Sequence, residues 1–471
     1  MKPNIKDFLV LLSISILFFS CKTKIEQGQI AGISIYSENK KYWACKGDPV
    51  LLLGGSNDDN LFQWPEQRLI PHLDSIKMVG ANYLRNTMSD RKAIGFEKYP
   101  YFQMGEKKYD LGQWDSEYWN RFERFLKETS DRDIIVQIEI WDRFDYSREH
   151  WMPNPYNPSN NINYTYEGSG FDKEYPNHPG RNQQPFFFTT PPQKNNVAVL
   201  KYQQQFVDKL LSISLNYDNV LYCMDNETSA EEAWGRYWAE YIKAKAGNKT
   251  VYVTEMWDAH NLLHKQHKRT LDHPELYDFV DISQNSWNKG YDNWSNSQKI
   301  MDYLGNKPRP VNSVKIYGND DRTSHLDKGV TTKHATETFV KNIVAGFASS
   351  RFHRPSSGLG LSEASSNCIR SIRMAETKLN IWELSPRMDL LGKCDKNEAY
   401  LAANPGKSYL IYFTATGSVE LDLSDFTGTG QLDRIDLEKA SWVESSEVKG
   451  VQKLVLKSTY EGGVLVILNK K

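Results

Sequence analysis

Residues 219–229 read NVLYCMDNETS, an apolar run that ends abruptly in Asp-Asn-Glu. The run 133–141, DIIVQIEIW, has the same character and ends at Asp142. Near-continuous apolar strands are typical of a parallel sheet covered by helices on both faces. Polar residues that close such strands lie together at one edge of the sheet, so we expect a functional site there.

Further strand-like runs alternate with amphipathic, helix-like stretches before and after these two. The strand-like runs are 49–54, 81–88, 250–254, 279–283, 309–316 and 343–351; the helix-like stretches include 67–78, 116–129, 196–215 and one from about 332. Eight strands interleaved with helices predict a (β/α)8 barrel of the α/β class. The alternative is an open doubly wound sheet, but 54–59, GGSNDD, is not the phosphate-binding GxGxxG.

Two smaller units flank the expected barrel domain, residues 31–394. Short runs at 33–36 and 42–45 predict a hairpin that caps the barrel floor. From 395 to 471, short strand-like runs separated by turn residues predict a compact β-sandwich.

The N-terminus has the features of an export signal. Lys2 and Lys6 precede the apolar run 8–19, which is too short to span a bilayer because spanning takes about 20 residues. The run stops at Phe-Ser-Cys21, followed by polar residues, and this resembles a bacterial lipoprotein signal. We therefore expect a signal peptide at 1–20, a lipidated Cys21 that anchors the chain to a membrane of the cell envelope, and a tether at 21–30.

Composition narrows the class of partner. With 58 basic and 59 acidic residues the net charge is −1, so the overall charge does not favour binding to nucleic acid. The remaining cysteines lack CxxC spacing and clustered histidines, so we expect no zinc site, and no cofactor motif is visible. Aromatic residues make up 13% of the chain and suit the apolar faces of sugar rings.

The sequence at the end of the fourth strand resembles the large clan of glycoside hydrolases with an Asn-Glu pair at that place. Together with the segment 399–412, AYLAANPGKSYLIY, it is similar to exported Bacteroidetes-type barrel enzymes that carry a C-terminal sandwich. The resemblance implies that Glu227 is the general acid/base and that Asn226 binds a sugar hydroxyl. The other interpretation is that Glu227 caps the following helix.

One departure from the clan pattern concerns the second carboxylate. The clan takes its nucleophile from the end of strand seven, but 310–318 reads PVNSVKIYG and has no carboxylate. Replacements available at other strand ends or in the following loop are Glu255, our first choice, and Glu139, Asp142 and Asp320.

Other residues at the strand ends are candidates for binding substrate. The candidates for contact with an acidic sugar are Lys315, Tyr317, Arg351, His353 and Arg354. Alternatively, the basic side chains among them neutralise the rim carboxylates Glu227, Glu255 and Asp142. For stacking on sugar rings the candidates are Trp64, Trp141, Trp257 and Trp287. Asp142 and the aromatic-rich loop 143–192 are further candidates for contact with sugar. Two other functions stay open at this point: a polysaccharide lyase with Lys315, Tyr317 or His353 as its base, and a carbohydrate-binding protein without catalysis.

Substitution of Cys21 tests the expected anchor. Because the acyl chains attach to its sulfur, Cys21→Ser should move the protein from the membrane to the soluble fraction of the producing cell, whereas Cys45→Ser should not. Fractionation followed by immunoblotting measures this. A Cys21→Ser protein that remains with the membrane as fully as the parent would contradict the expectation.

Overall fold

The computed structural model describes residues 32–91, 95–105, 108–181, 183–450 and 452–471, except the side chains of 324 and 325. The expected signal peptide, the tether and Cys21 lie outside the described residues. Within the described part, no helix is both long and apolar enough to cross a membrane. All four cysteines in that part are free thiols.

Eight parallel strands form the barrel that the sequence predicts. They are Leu52–Gly55, Tyr83–Thr87, Ile135–Asp142, Val220–Asn226, Val253–Thr254, Val280–Asp281, Val311–Asn312 and Ser349–Phe352. Strands five, four, three, two, one and eight make one sheet in that order, and strands six and seven make a second. Backbone bonds join the two sheets, from Asp278 N to Val253 O at 3.0 Å and from Arg351 N to Ser313 O at 2.9 Å. The predicted barrel is confirmed.

A helix follows each strand and covers the outside of the barrel. These helices are Glu66–Met78, Ser116–Ser130, Val197–Ser214, Glu232–Ala246, Lys265–Leu271, Gly290–Leu304, Thr332–Val344 and Glu363–Glu376; Tyr166–Ser169 and Thr323–Leu326 are short additional helices. The helix Ser116–Ser130 shows why these segments form helices and pack on the barrel. Tyr118, Phe122 and Phe125 recur on one buried face, and Asp115 caps the helix by accepting from Tyr118 N at 2.9 Å.

The N-terminal segment closes the floor of the barrel, as expected. Ile33–Ile35, Trp43–Cys45 and Asp48–Val50 form a three-stranded antiparallel sheet. The buried Trp43 donates from Nε1 to Asn312 Oδ1 at 3.0 Å and packs edge-on against Phe279. The opposite end of the barrel is therefore the open one.

Several barrel strands differ in extent from the predicted ones. Strands five, six and seven are only two residues long, against the predicted 250–254, 279–283 and 309–316, and the first and last strands differ in their bounds. The run 49–54 is divided, because Asp48–Val50 pairs with the floor sheet and only Leu52–Gly55 enters the barrel. The run 343–351 begins inside the helix Thr332–Val344, and the strand starts only at Ser349. An apolar run alone does not distinguish a buried helix end from a buried strand.

The C-terminal sheets form the predicted sandwich. Their strands are Ser385–Pro386, Leu391–Gly392, Ala399–Asn404, Ser408–Phe413, Gly417–Asp422, Thr429–Asp436, Ser441–Lys449, Lys453–Ser458 and Val464–Lys470. The first two precede the boundary expected at 395. The strand Ser441–Lys449 is largely exposed, so its sequence lacks the alternation that marks a half-buried strand. Tyr400 packs on Trp294 at 4.6 Å, which places the sandwich against the side of the barrel.

The loop 143–192 is ordered, but most of its aromatic side chains do not face substrate. It contains five short 3-10 helical turns and one helix, Tyr166–Ser169. Its buried rings form a cluster with barrel residues: Trp151, Tyr156, Phe171, Phe186 and Phe187. Phe144, His178 and Gly180 are the loop residues that line the cleft described below.

Substitution of Gly235 tests the packing of the helix Glu232–Ala246 on strand five. A Cβ at Gly235 would lie 2.3 Å from Glu255 Oε2, a buried oxygen. Alanine favours helix by about 1 kcal/mol over glycine, yet Gly235→Ala should lower the free energy of unfolding by about 1–3 kcal/mol because of this overlap. Denaturant titration measures the change.

The double variant Gly235→Ala/Glu255→Ala provides the control. Truncating Glu255 removes the overlapping atom, so the double variant should lose less than the sum of the two single losses. Additive losses would contradict the packing described here.

Candidate active site

Glu227 stands at the mouth of the barrel, immediately after strand four. Its backbone adopts φ 46°, a conformation that costs energy for a residue other than glycine. Its Oε1 accepts from Lys315 Nζ at 2.6 Å, from Gln284 Nε2 at 2.8 Å and from the hydroxyl of Tyr317. Glu227 therefore contacts residues that follow strands six and seven instead of capping the next helix, which begins at Glu232.

The contacts of Glu227 keep it ionised. Burial on its own would raise the pKa of Glu227, but the charge of Lys315 and the hydrogen bonds from Lys315, Tyr317 and Gln284 outweigh it. The pKa of Glu227 therefore lies well below its usual range. A resting anion is the opposite of what the proton donor role expected for Glu227 requires.

Asn226 belongs to the same buried network. Its Oδ1 accepts from Lys315 Nζ at 2.9 Å and from Arg85 at 2.9 Å. Arg85 also pairs with Asp59 at 2.8 Å and with Glu139 at 2.6 Å. The side-chain oxygen of Asn226, the residue expected to bind a sugar hydroxyl, is thus engaged by two cations.

The basic residues of strand eight gather around Asp59 and not around the cleft. Arg354 pairs with Asp59, and His353 Nδ1 lies 3.4 Å from its Oδ1. Arg351 is fully buried, donates to Val314 O at 2.7 Å and lies 3.7 Å from Asp59. These side chains thus neutralise a carboxylate, but it is Asp59 and not the expected Glu227, Glu255 or Asp142. None of the three lines the cleft where an acidic sugar would bind.

A cleft of about 370 Å³ opens above Glu227. It is lined by Phe144, His178, Gly180, Glu227, Asp258, His260, Gln284, Trp287, Tyr317 and Lys328. Trp287 stacks on Tyr317, with ring centroids 4.5 Å apart and planes at 27°, and on His260 at 5.8 Å. An aromatic wall beside a carboxylate suits a sugar ring.

Trp141 and Trp257 do not belong to that wall. Trp141 is 1% exposed and packs against Phe186, Phe206 and Trp238 outside the barrel. Trp257 is equally buried and donates to Thr270 Oγ1 at 2.7 Å. The structure therefore places these two expected platforms in the core, and Trp64 is equally buried, whereas the expected Trp287 lies at the cleft.

The structure also keeps Glu255 away from the cleft. Glu139 faces Arg85 inside the barrel, Cys223 pairs with Glu139, and Thr254 pairs with Cys223. Successive residues of a strand face opposite sides, so Glu255 points outward, towards the helix Glu232–Ala246. Its Oε1 accepts from Asp225 N at 2.9 Å, and burial raises the pKa of Glu255 well above its usual value.

The other expected replacements are engaged elsewhere. Asp142 pairs with Arg91 and accepts from Phe144 N at 3.1 Å, while Glu139 pairs with Arg85. Asp320 is exposed and accepts from Thr332 N at 3.0 Å.

Asp258 is the second carboxyl that lines the cleft, and it is not among the residues predicted from the sequence. Among the described residues its side chain makes no hydrogen bond and no ion pair. Burial, reinforced by the charge of Glu227, raises the pKa of Asp258 to about 7, although Lys315 and Arg143 oppose the shift. The signal was its place in the segment VTEMWD, three residues beyond Glu255.

The geometry gives little support to a lyase base. Tyr317 donates to Glu227, and burial together with that contact raises the pKa of Tyr317 well above 10. Lys315 is paired with Glu227, and His353 lies buried beside Asp59. Within the described part of the chain, no group of three or more His, Cys, Asp or Glu residues is arranged to hold a metal ion.

Comparison with known proteins identifies the fold. No family model and no curated protein matches the sequence. A glycoside hydrolase family 5 structure from Bacteroides vulgatus matches with a TM-score of 0.64 and 11% identity over 93% of each chain. A second structure, described as a glycoside hydrolase, matches with a TM-score of 0.62 and 11% identity over 94% of this chain and 97% of that one. The barrel and its C-terminal sandwich are thus a fold shared with glycoside hydrolases.

Removing the ammonium of Lys315 tests the buried ion pair. Lys315→Met leaves Glu227 without its cation and should lower the free energy of unfolding by about 3–5 kcal/mol at pH 7. The deficit should shrink near pH 4, because Glu227 then takes up a proton in the variant, while its lowered pKa keeps it ionised in the parent. Denaturant titration at both pH values measures this.

Lys328→Met is the matched control, since Lys328 is exposed at the rim of the same cleft. It should change stability by no more than about 0.5 kcal/mol at either pH. Equal behaviour of the two variants would show that the ion pair does not stabilise the site.

Proposed function

We propose that the protein is a glycoside hydrolase that cleaves an oligosaccharide or polysaccharide in the cleft above Glu227. The observation that carries this proposal is a carboxylate held as an anion beside an aromatic wall, at the end of a barrel where such enzymes place their sites. Hydrolysis of a glycoside passes through a positively charged sugar, which a fixed carboxylate stabilises.

We extend the proposal to the charge of the substrate and to the location of the enzyme. An acidic sugar is among the proposed substrates, because the exposed Lys328 lies at the rim of the cleft and the ring of His178 lines it. Attachment to the cell envelope through Cys21 rests on the pattern of the N-terminal sequence. Both are independent of the catalytic proposal and are tested separately.

Substitution of Glu227 tests the proposal. Glu227→Gln keeps the shape of the side chain and the hydrogen bond to Tyr317 but removes the charge. Release of new reducing ends from the oligosaccharide that the parent cleaves should fall by about 10³-fold or more. The assay uses a panel of neutral and uronate-containing oligosaccharides.

Glu231→Gln is the control, because Glu231 is an exposed carboxylate four residues further along. It should retain parental activity. Activity of Glu227→Gln within a few-fold of the parent would contradict the role of Glu227, and binding without cleavage by the parent would favour a non-catalytic carbohydrate-binding protein.

A further inference from the structure

The cleft holds two carboxyl groups that differ sharply in their contacts. Glu227 has three donors on a single oxygen, one of them an ammonium at 2.6 Å. Asp258 has none among the described residues, although it lines the same cleft. Residues 310–318, which include strand seven, contain no carboxylate, so a second catalytic carboxyl must come from elsewhere in the cleft.

The backbone fixes the two carboxyls next to each other. Asp258 N donates to Thr228 O at 3.0 Å, and Thr228 forms a parallel bridge with Trp257. The extensions of strands four and five therefore run side by side, with Glu227 and Asp258 one residue to either side of the bridge. A Cβ at Gly180 would lie 3.4 Å from Asp258 Oδ2, so that oxygen faces the loop side of the cleft.

Their contacts shift the pKa values of the two groups in opposite directions. A proton on Glu227 Oε1 would displace the ammonium of Lys315, so this carboxyl stays ionised. Asp258 has no donor to stabilise its anion and faces the negative charge of Glu227, so its neutral form is favoured. The charged groups around it are Glu227, Lys315 and Arg143, and His178 and His260 share its cleft.

We propose that Asp258 is the proton donor of the reaction and that Glu227 is the carboxylate that faces the anomeric carbon of the sugar. Asp258 gives its proton to the glycosidic oxygen, and the electron pair of the breaking C–O bond stays on that oxygen. Glu227 stabilises the positive charge that develops on the sugar, and water supplies the hydroxyl that finally bonds to the anomeric carbon. The proton released from this water restores Asp258. The inference rests on the proposed function and assigns its acid.

Dependence on the leaving group tests this assignment. A proton donor is needed only when the departing oxygen is basic, so Asp258→Asn should lose about 10²–10⁴-fold in kcat/KM on 4-methoxyphenyl glycosides. On 2,4-dinitrophenyl glycosides of the same sugar the loss should be less than about tenfold, since that phenolate leaves unaided. Glu227→Gln should lose activity on both substrates.

The pH profile is a second readout that a purely structural role would not move. The parent should lose kcat/KM as the pH rises through about 7, because Asp258 must be protonated. That limb should be absent from Asp258→Asn on the dinitrophenyl substrate. Asp272→Asn, a change at an exposed aspartate, should keep both the parental rates and the profile.

The outcomes separate the two proposals. If the parent cleaves none of the glycosides, the proposed function fails. If the parent cleaves them but Asp258→Asn loses equally on both leaving groups or on neither, hydrolysis stands and the assignment of Asp258 is overturned. Rescue of Glu227→Gln by the dinitrophenyl group would return the acid role to Glu227.

Discussion

The buried ammonium of Lys315 is the interaction on which the site depends. It bonds to Glu227 at 2.6 Å and to Asn226 at 2.9 Å, and Arg85 links Asn226 onward to Asp59 and Glu139. Burying such charges costs several kcal/mol for each ion unless every partner is in place. The network joins residues of strands two, three and four with residues that follow strands one and seven, so it is complete only when the barrel is closed.

This network explains the unusual state of the Glu227 carboxylate. Glu227 sits at φ 46°, a strain that persists because three donors fix its side chain. The same donors keep it from holding a proton. Its fixed negative charge in turn favours the neutral form of Asp258, which has no donor of its own. The presence of Lys315 after strand seven is therefore compatible with hydrolysis, because this lysine lowers the pKa of Glu227 and so makes it differ from that of Asp258.

Hydrophobic pattern was enough to predict the barrel, the floor hairpin and the sandwich, and strand ends identified Glu227, Lys315 and Tyr317. The errors have physical causes. The choice between Glu255 and Asp258 depends on which side of strand five faces inward, and that follows from register with strand four. Arg354, which follows strand eight, pairs with Asp59 across 295 positions of sequence. Gln284 lies in a 3-10 turn after strand six, where no periodic pattern marks it, whereas Trp287 in the same turn is expected from its place just after a strand end.

The charge difference between the two cleft carboxyls is the central claim, and a titration followed by NMR measures it directly. Protein labelled with ¹³C at the side-chain carboxyls of Asp and Glu would be titrated from pH 8 to pH 4, with Glu227→Gln and Asp258→Asn assigning the signals. We expect the Glu227 signal to remain that of a carboxylate throughout and the Asp258 signal to titrate near pH 7. A Glu227 signal that titrates within this range while Asp258 stays ionised down to pH 5 would contradict the account.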